Sequence, residues 1–148
     1  MNKLKLKIVT PERVLLESEI DSVSCPTALG QITILPGHIP LVSTLTAGEI
    51  IVRENGTEKY MVATGGVVEV RTGNETVVLA DAAEPEEEVD EQRAMVARER
   101  ARKIMAEQTL SEEEYAATAA ALERSLARLR VAQKKKHRNA KTQIRLEG

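Results

Sequence analysis

Few side chains in this sequence could do chemistry, and most reactive arrangements are missing. The histidines are His38 and His137 and the single cysteine is Cys25, too few to make a metal set. No Ser-His-Asp or Cys-His arrangement can be argued from them. Gly65-Gly66 lacks a following helix and Lys-Ser/Thr, so it is not a phosphate loop. Catalysis by this chain alone is therefore not expected. What remains is charge. The stretch from Arg124 to Arg145 carries nine basic residues and no acid, in a chain of net charge −2. Arg124 and Arg128, four apart, share a helix face. Upstream lie Glu84, Asp90, Arg93 and Arg100. On pattern alone, Glu84, Asp90 and Arg93 read most simply as helix-terminus charges on a solvated face, and Arg124 and Arg128 as a charged helix face.

The elements that must position these groups fall into two kinds. Seven of the eight glycines and all five prolines lie at or before Pro85. Gly and Pro punctuate turns, so their absence from the next sixty or so residues permits long helix. The expected fold is α+β in two segments. An N-terminal antiparallel β-sandwich or flattened barrel (1–85) is followed by a C-terminal antiparallel two-helix hairpin (86–148) with a basic tail. Residues 1–85 carry seven basic against eleven acidic side chains, and residues 86–148 fourteen against twelve. A strand domain of that size can bury a core of its own. One cysteine cannot form an internal disulfide, which suggests a reducing compartment. No apolar stretch approaches a membrane span. With no Phe or Trp and two Tyr, the chain lacks the aromatic platforms of single-strand nucleic-acid binders. The rival reading, a nucleic-acid or membrane-surface adaptor using Arg124–Arg145, has that shortage and the acidic total against it.

Along the first segment, Lys3–Ile8 alternates with period two. Strands follow at Arg13–Ser18, Ile20–Cys25, Gln31–Leu35, Leu41–Leu45, Glu49–Arg53, Glu58–Ala63, Val67–Val70 and Thr76–Leu79. Asn55-Gly56 marks a type I′ hairpin, and Ala47-Gly48 reads as a turn. Ala80–Ala83 reads as a sheet end and linker. His38, after Pro36-Gly37, reads either as a turn residue capping local backbone or as a contact residue.

In the second segment, helix one is expected from about Asp90 to Gln108, with Ala94, Ala97, Ala101, Ile104 and Met105 as its apolar face. Ser111 with Glu114 is a capping box, and Leu110 with Tyr115 a hydrophobic staple. Helix two then carries a seam of Tyr115, Ala119, Leu122, Leu126 and Leu129. An alanine-rich seam buries little, and the turn Thr109-Leu110-Ser111 contains neither Gly nor Pro. The pair reads as an element able to open.

Several segments together are specific: Thr10-Pro11-Glu12-Arg13-Val14, Gly30–Leu41 with its Pro36-Gly37-His38-Ile39-Pro40-Leu41, Gly65-Gly66-Val67-Val68-Glu69-Val70, and Val77–Glu84. In this order and spacing, with the two-helix tail, the chain from about residue 3 to 133 resembles the epsilon subunit of the rotary F-type ATP synthase. The resemblance implies a non-catalytic central-stalk subunit. Its sandwich grips the gamma subunit and the c-ring, with Gln31, Pro36, Gly37, His38 and Leu41 at the subunit interface. Its helices fold down or extend into the alpha/beta catalytic head, where they block ATP hydrolysis. Arg124, Arg128, Arg130, Lys134, Lys135 and Lys136 would then form the inhibitory basic helix, and Glu112 to about Arg138 would span ~40 Å.

The resemblance also implies a regulatory ligand. Some bacterial members bind ATP on the folded hairpin through an Ile/Leu-Asp-x-x-Arg-Ala motif, matched here by Val89-Asp90-Glu91-Gln92-Arg93-Ala94. Glu84, Arg100, Arg124 and Arg128 fall where that family places further contacts. No cofactor is required, no nucleic-acid partner is expected, and membrane association comes only through the complex. An initiator Met without a leader favours the cytoplasmic face of a bacterial plasma membrane. Two features depart from the family. The loop Thr27-Ala28-Leu29-Gly30-Gln31 has no acid where acids are common, and the tail from Lys134 is longer and more basic than usual.

Overall fold

Alternation in the first strand sets the pattern for the strand unit. In β1 (Leu4–Val9), Leu4, Leu6 and Ile8 are buried while Lys5 and Lys7 are exposed, as a period of two requires. The computed structural model describes residues 2–147 and continues with β2 (Val14–Ile20), β3 (Ser22–Thr27), β4 (Gly30–Ile34), β5 (Leu41–Glu54), β6 (Thr57–Arg71), β7 (Glu75–Ala80) and β8 (Ala83–Pro85). The strands run in the order β2-β1-β7-β6-β5-β3-β4, with β8 also on β6. The chain divides into two units after Pro85.

The long strands β5 and β6 serve both layers of a sandwich. Gly66–Arg71 of β6 pairs with β7, while Met61–Ala63 pairs with β8. On β5, Ile51–Arg53 pairs with β3. Leu4, Leu6, Ile20, Val23, Ile34, Leu45, Ile50, Val52, Val68 and Val78 fill the core. Burying one such side chain is worth about 1.5–3 kcal/mol, so this cluster offsets the cost of ordering the strands around it. Cys25 is part of that core, and burial pushes its thiol up to about 12.

Three expectations need correction. Ala47-Gly48 is not a turn, and Gly65-Gly66 does not divide Glu58–Ala63 from Val67–Val70; both pairs lie inside continuous strands. A Cβ on Gly66 would sit 2.0 Å from the Leu79 carbonyl oxygen, and its φ is +134°. The glycine is there for close backbone approach. Gly48 in turn makes room for Pro26, whose Cβ would lie 2.9 Å from an added methyl. Pro26 sits where the β3–β5 register shifts, a place where a missing N–H costs no ladder bond. The sheet is also mixed, because β1 and β7 pair in parallel, Lys5 to Val9 against Glu75 to Leu79. These strands are far apart in sequence, so no short turn dictates their direction. Finally, Ala83–Pro85 is a strand and not only linker. The hairpin at Asn55-Gly56 is as expected, with φ of 51° and 80°.

In the helical unit, Glu86–Glu88 forms one turn of 3-10 helix, followed by α1 (Glu91–Glu107) and α2 (Glu112–Glu147). Asp90 caps α1 by accepting a hydrogen bond from the Arg93 N–H at 3.1 Å. Ser111 caps α2, accepting from the Glu114 N–H at 3.1 Å. Glu114 answers by accepting from the Ser111 hydroxyl at 3.0 Å. The helices pack side by side in antiparallel fashion, so that Lys136 late in α2 meets Glu91 at the start of α1. At 36 residues against 17, α2 is about 28 Å the longer at ~1.5 Å per residue. Its fully buried positions include Ser125, Ala127 and Val131, whereas Leu122, Leu126 and Leu129 are half-buried and Tyr115 is exposed. Ser125 and Ala127 lie ~200° apart on the helix, so a single seam did not mark them.

Candidate functional site

The outward face of the β2-β1-β7-β6-β5 layer is unusual. Cross-strand register places Val14, Val9, Leu79, Val67 and Thr44 in one row across five strands. Leu79 is 49% exposed, Val14 51% and Val67 39%, and neighbouring Val42 reaches 69%. Apolar side chains that could have been polar at no cost to the core instead form a continuous band in water. Beside the band, Leu29 at the β3–β4 tip is 90% exposed, and Ala28 there donates its N–H to the Thr44 carbonyl at 3.1 Å.

Two residues further along the same strands the face turns charged. Glu17 faces Lys7, and Glu19 faces Lys5, which faces Glu75. Arg71 pairs with Glu75 in register and with Glu69 at 3.1 Å. Hydrogen bonding to Glu69 raises the Arg71 guanidinium further above its ordinary range. A shallow depression of about 380 Å³ lies among these groups. The face as a whole offers an apolar band bordered by paired charges, the composition of a protein–protein contact with a polar rim.

The loop after β4 is held to the same layer. His38 donates its N–H to the Leu35 carbonyl at 3.1 Å across Pro36-Gly37, with Gly37 at φ +85°. The Gly37 N–H donates to the Asn74 side-chain oxygen at 2.6 Å, and the Asn74 carbonyl accepts from the Lys5 N–H at 2.8 Å. The His38 Nδ1 lies 2.7 Å from the Ile39 carbonyl, so the imidazole caps local backbone. Ile39, 75% exposed, and the exposed Gln31 are available to a partner, while Leu41 packs half-buried on the core.

Sequence reasoning missed Val9, Val14, Val42, Val67 and Leu79. The signal was present in the runs Val67-Val68 and Val77-Val78-Leu79, where consecutive apolar residues must load both faces of a strand.

On the helical unit, Arg93 and Arg100 are exposed and line one depression of about 400 Å³ with Gln92, Val96 and Ala97. Two turns of helix separate them, ~10 Å along the axis. Asp90, Arg124 and Arg128 do not line that depression. Asp90 is engaged as a cap, and Arg124 and Arg128 are half-buried on one face of α2. Glu84 lies on β8, paired with Val62 in the strand unit. Of the basic helix, Arg130 is exposed and Lys134 and Lys135 half-buried. Lys136 bonds Glu91 at 2.7 Å. Among the described residues, no cluster of three metal-ligating side chains occurs and no helix is long and apolar enough to cross a membrane.

Comparison with known proteins decides the family. The model of the ATP synthase delta/epsilon chain β-sandwich domain matches residues 3–86, and that of the delta/epsilon long α-helix domain matches residues 87–133. The chain belongs to the ATP synthase delta/epsilon family. It is 45% identical over 137 residues to an ATP synthase epsilon chain of Dehalococcoides mccartyi, covering 92% of this chain and 96% of that one. The epsilon chain of Syntrophobacter fumaroxidans is 42% identical over 132 residues, covering 89% and 97%. The fold is similar to a chain of the Euglena gracilis mitochondrial ATP synthase OSCP/F1/c-ring structure, with a TM-score of 0.75 at 24% identity over 84% of this chain and 78% of the other. Epsilon subunits, to which these relatives belong, are a non-catalytic component of the ATP synthase complex. The last helical stretch of α2, 134–147, lies beyond the part matched by the epsilon family model.

Proposed function

We propose that this epsilon-family chain is the rotor subunit that joins the gamma subunit to the c-ring in a proton- or sodium-translocating F-type ATP synthase, and that its hairpin restrains ATP hydrolysis. The observation that carries this reading is the outward row Val14-Val9-Leu79-Val67, exposed at all but the half-buried Val9, on a sandwich with its own core. A stiff strand body can transmit torque, and an apolar band with charged borders suits a firm contact with the gamma shaft. Ile39, Gln31 and the loop pinned by Asn74 are the groups offered to the c-ring. With Leu29 in place of an acid at the nearby tip, contact with the ring depends less on charge.

The hairpin supplies the regulation. Its helices are capped by single side chains worth about 1 kcal/mol each, and small residues occupy much of the buried α2 surface. The energy difference between closed and extended forms is therefore shallow. In the extended form Arg124, Arg128, Arg130, Lys134, Lys135 and Lys136 face acidic groups of the alpha/beta head. ATP at Arg93 and Arg100, with Arg124 and Arg128, favours the closed form by ~2.7 kcal/mol at a hundredfold excess over Kd. Calorimetric titration that detects no millimolar or tighter ATP binding would remove ATP from this account. The complex sits at the cytoplasmic face of a bacterial plasma membrane, and this subunit reaches the membrane only through it.

A photo-crosslinker placed at Leu79 in the assembled enzyme tests the docking. Capture of gamma is expected; capture of neither gamma nor the c-ring contradicts the reading.

A further inference from the structure

The carboxylate of Glu86 is buried, with the residue 7% exposed, and its partner is Arg138. A buried carboxylate left without its counter-ion is strongly destabilising, so Arg138 has a defined task. That arginine lies five residues past the end of the family-model match at residue 133. Two residues before it, Lys136 bonds Glu91 at 2.7 Å. The end of the hairpin overlap is thus tied twice by residues on the extension, once to the acidic turn that begins the unit and once to the first residue of α1. The two ties differ in worth. Lys136 is mostly exposed, and such pairs contribute little. Arg138 on Glu86 dominates.

We propose that the extension 134–147 is a strap that holds the hairpin closed through Arg138 on Glu86, with Lys136 on Glu91 in support. Both ties must break before this end of α2 can leave α1. Lys136, one of the cations that would face an acidic partner, is spent on Glu91 while the hairpin is shut, so opening releases that charge for partner contact. The strap is a property of the helical unit and stands whether or not the rotor reading is right.

A double-mutant cycle on the full chain tests it, read by amide exchange in α1 between Ala94 and Ala101. Arg138→Gln is expected to speed that exchange about tenfold, a value lowered from the fully buried case because Arg138 is partly exposed. Exchange in the strand core, from Leu45 to Val78, stays unchanged. In a Glu86→Gln background, Arg138→Gln should add nothing, because the pair is already lost. A chain ending at Gln133 should match Arg138→Gln. No change in α1 exchange with Arg138→Gln, or equal effects in both backgrounds, would overturn the strap.

Discussion

Replacing Val14, Val67 and Leu79 together by threonine removes the apolar band without touching the core. Each of these side chains is about half exposed, so a partner can cover about half of what full burial covers. Full burial of a Val or Leu is worth about 1.5–3 kcal/mol, which makes each position worth about 1 kcal/mol and the three about 3 kcal/mol. Every 1.4 kcal/mol is tenfold in Kd, so affinity for gamma should fall roughly a hundredfold. Folding should hardly change, because exposed substitutions that keep β-propensity cost little. Urea unfolding of the free variant establishes the second point, and calorimetric titration with purified gamma the first. A Kd within about threefold of the starting protein, with folding intact, would refute the assignment of this face.

Other outcomes follow from the strand unit. Gly66→Ala should lower unfolding stability by about 3 kcal/mol or more, because an added methyl meets backbone atoms of Leu79 and Ala80 at 3.0 Å or less and the φ is unsuitable. Gly56→Ala, with nothing within 4 Å of the new methyl, should cost only about 1 kcal/mol; denaturant midpoints compare the two. The Thr76 hydroxyl is buried without a hydrogen-bond partner, so Thr76→Val should stabilise the fold by about 1 kcal/mol, and a lower midpoint would contradict this. The Cys25 thiol, pushed up to about 12 by burial, should resist a disulfide reagent at pH 8 and react once the protein is unfolded. Since the group's pKa is raised in the fold, ionisation favours unfolding only above the ordinary thiol range, near pH 9 and higher.

Much of the fold was legible because local rules and tertiary structure agree. Lys3–Ile8 alternates and becomes β1, Asn55-Gly56 makes its hairpin, and Asp90 and Ser111 cap the helices at the expected places. The failures lie where one residue type serves two ends. Gly48 reads as a turn and Gly65-Gly66 as a gap between two strands, yet all three lie inside long strands, and only the distances to Pro26 and Leu79 reveal Gly48 and Gly66 as close approaches. The docking row depends on register across five strands, including a parallel pair far apart in sequence. No single segment carries that information. Arg93 and Asp90 both lie in the matched motif, and Asp90 is engaged as a helix cap, which a sequence motif cannot separate from ligand contact. The strap could not be read at all, since Glu86 and Arg138 are 52 residues apart and both look like solvated charges.

ATP hydrolysis by the assembled complex tests the division of labour most directly. The complex is built once with the full chain and once with a chain ending at residue 86, each checked for retention of the subunit. A body that docks and a hairpin that restrains predict equal retention with several-fold faster hydrolysis when the helices are gone. Unchanged or slower hydrolysis at equal retention would contradict the account.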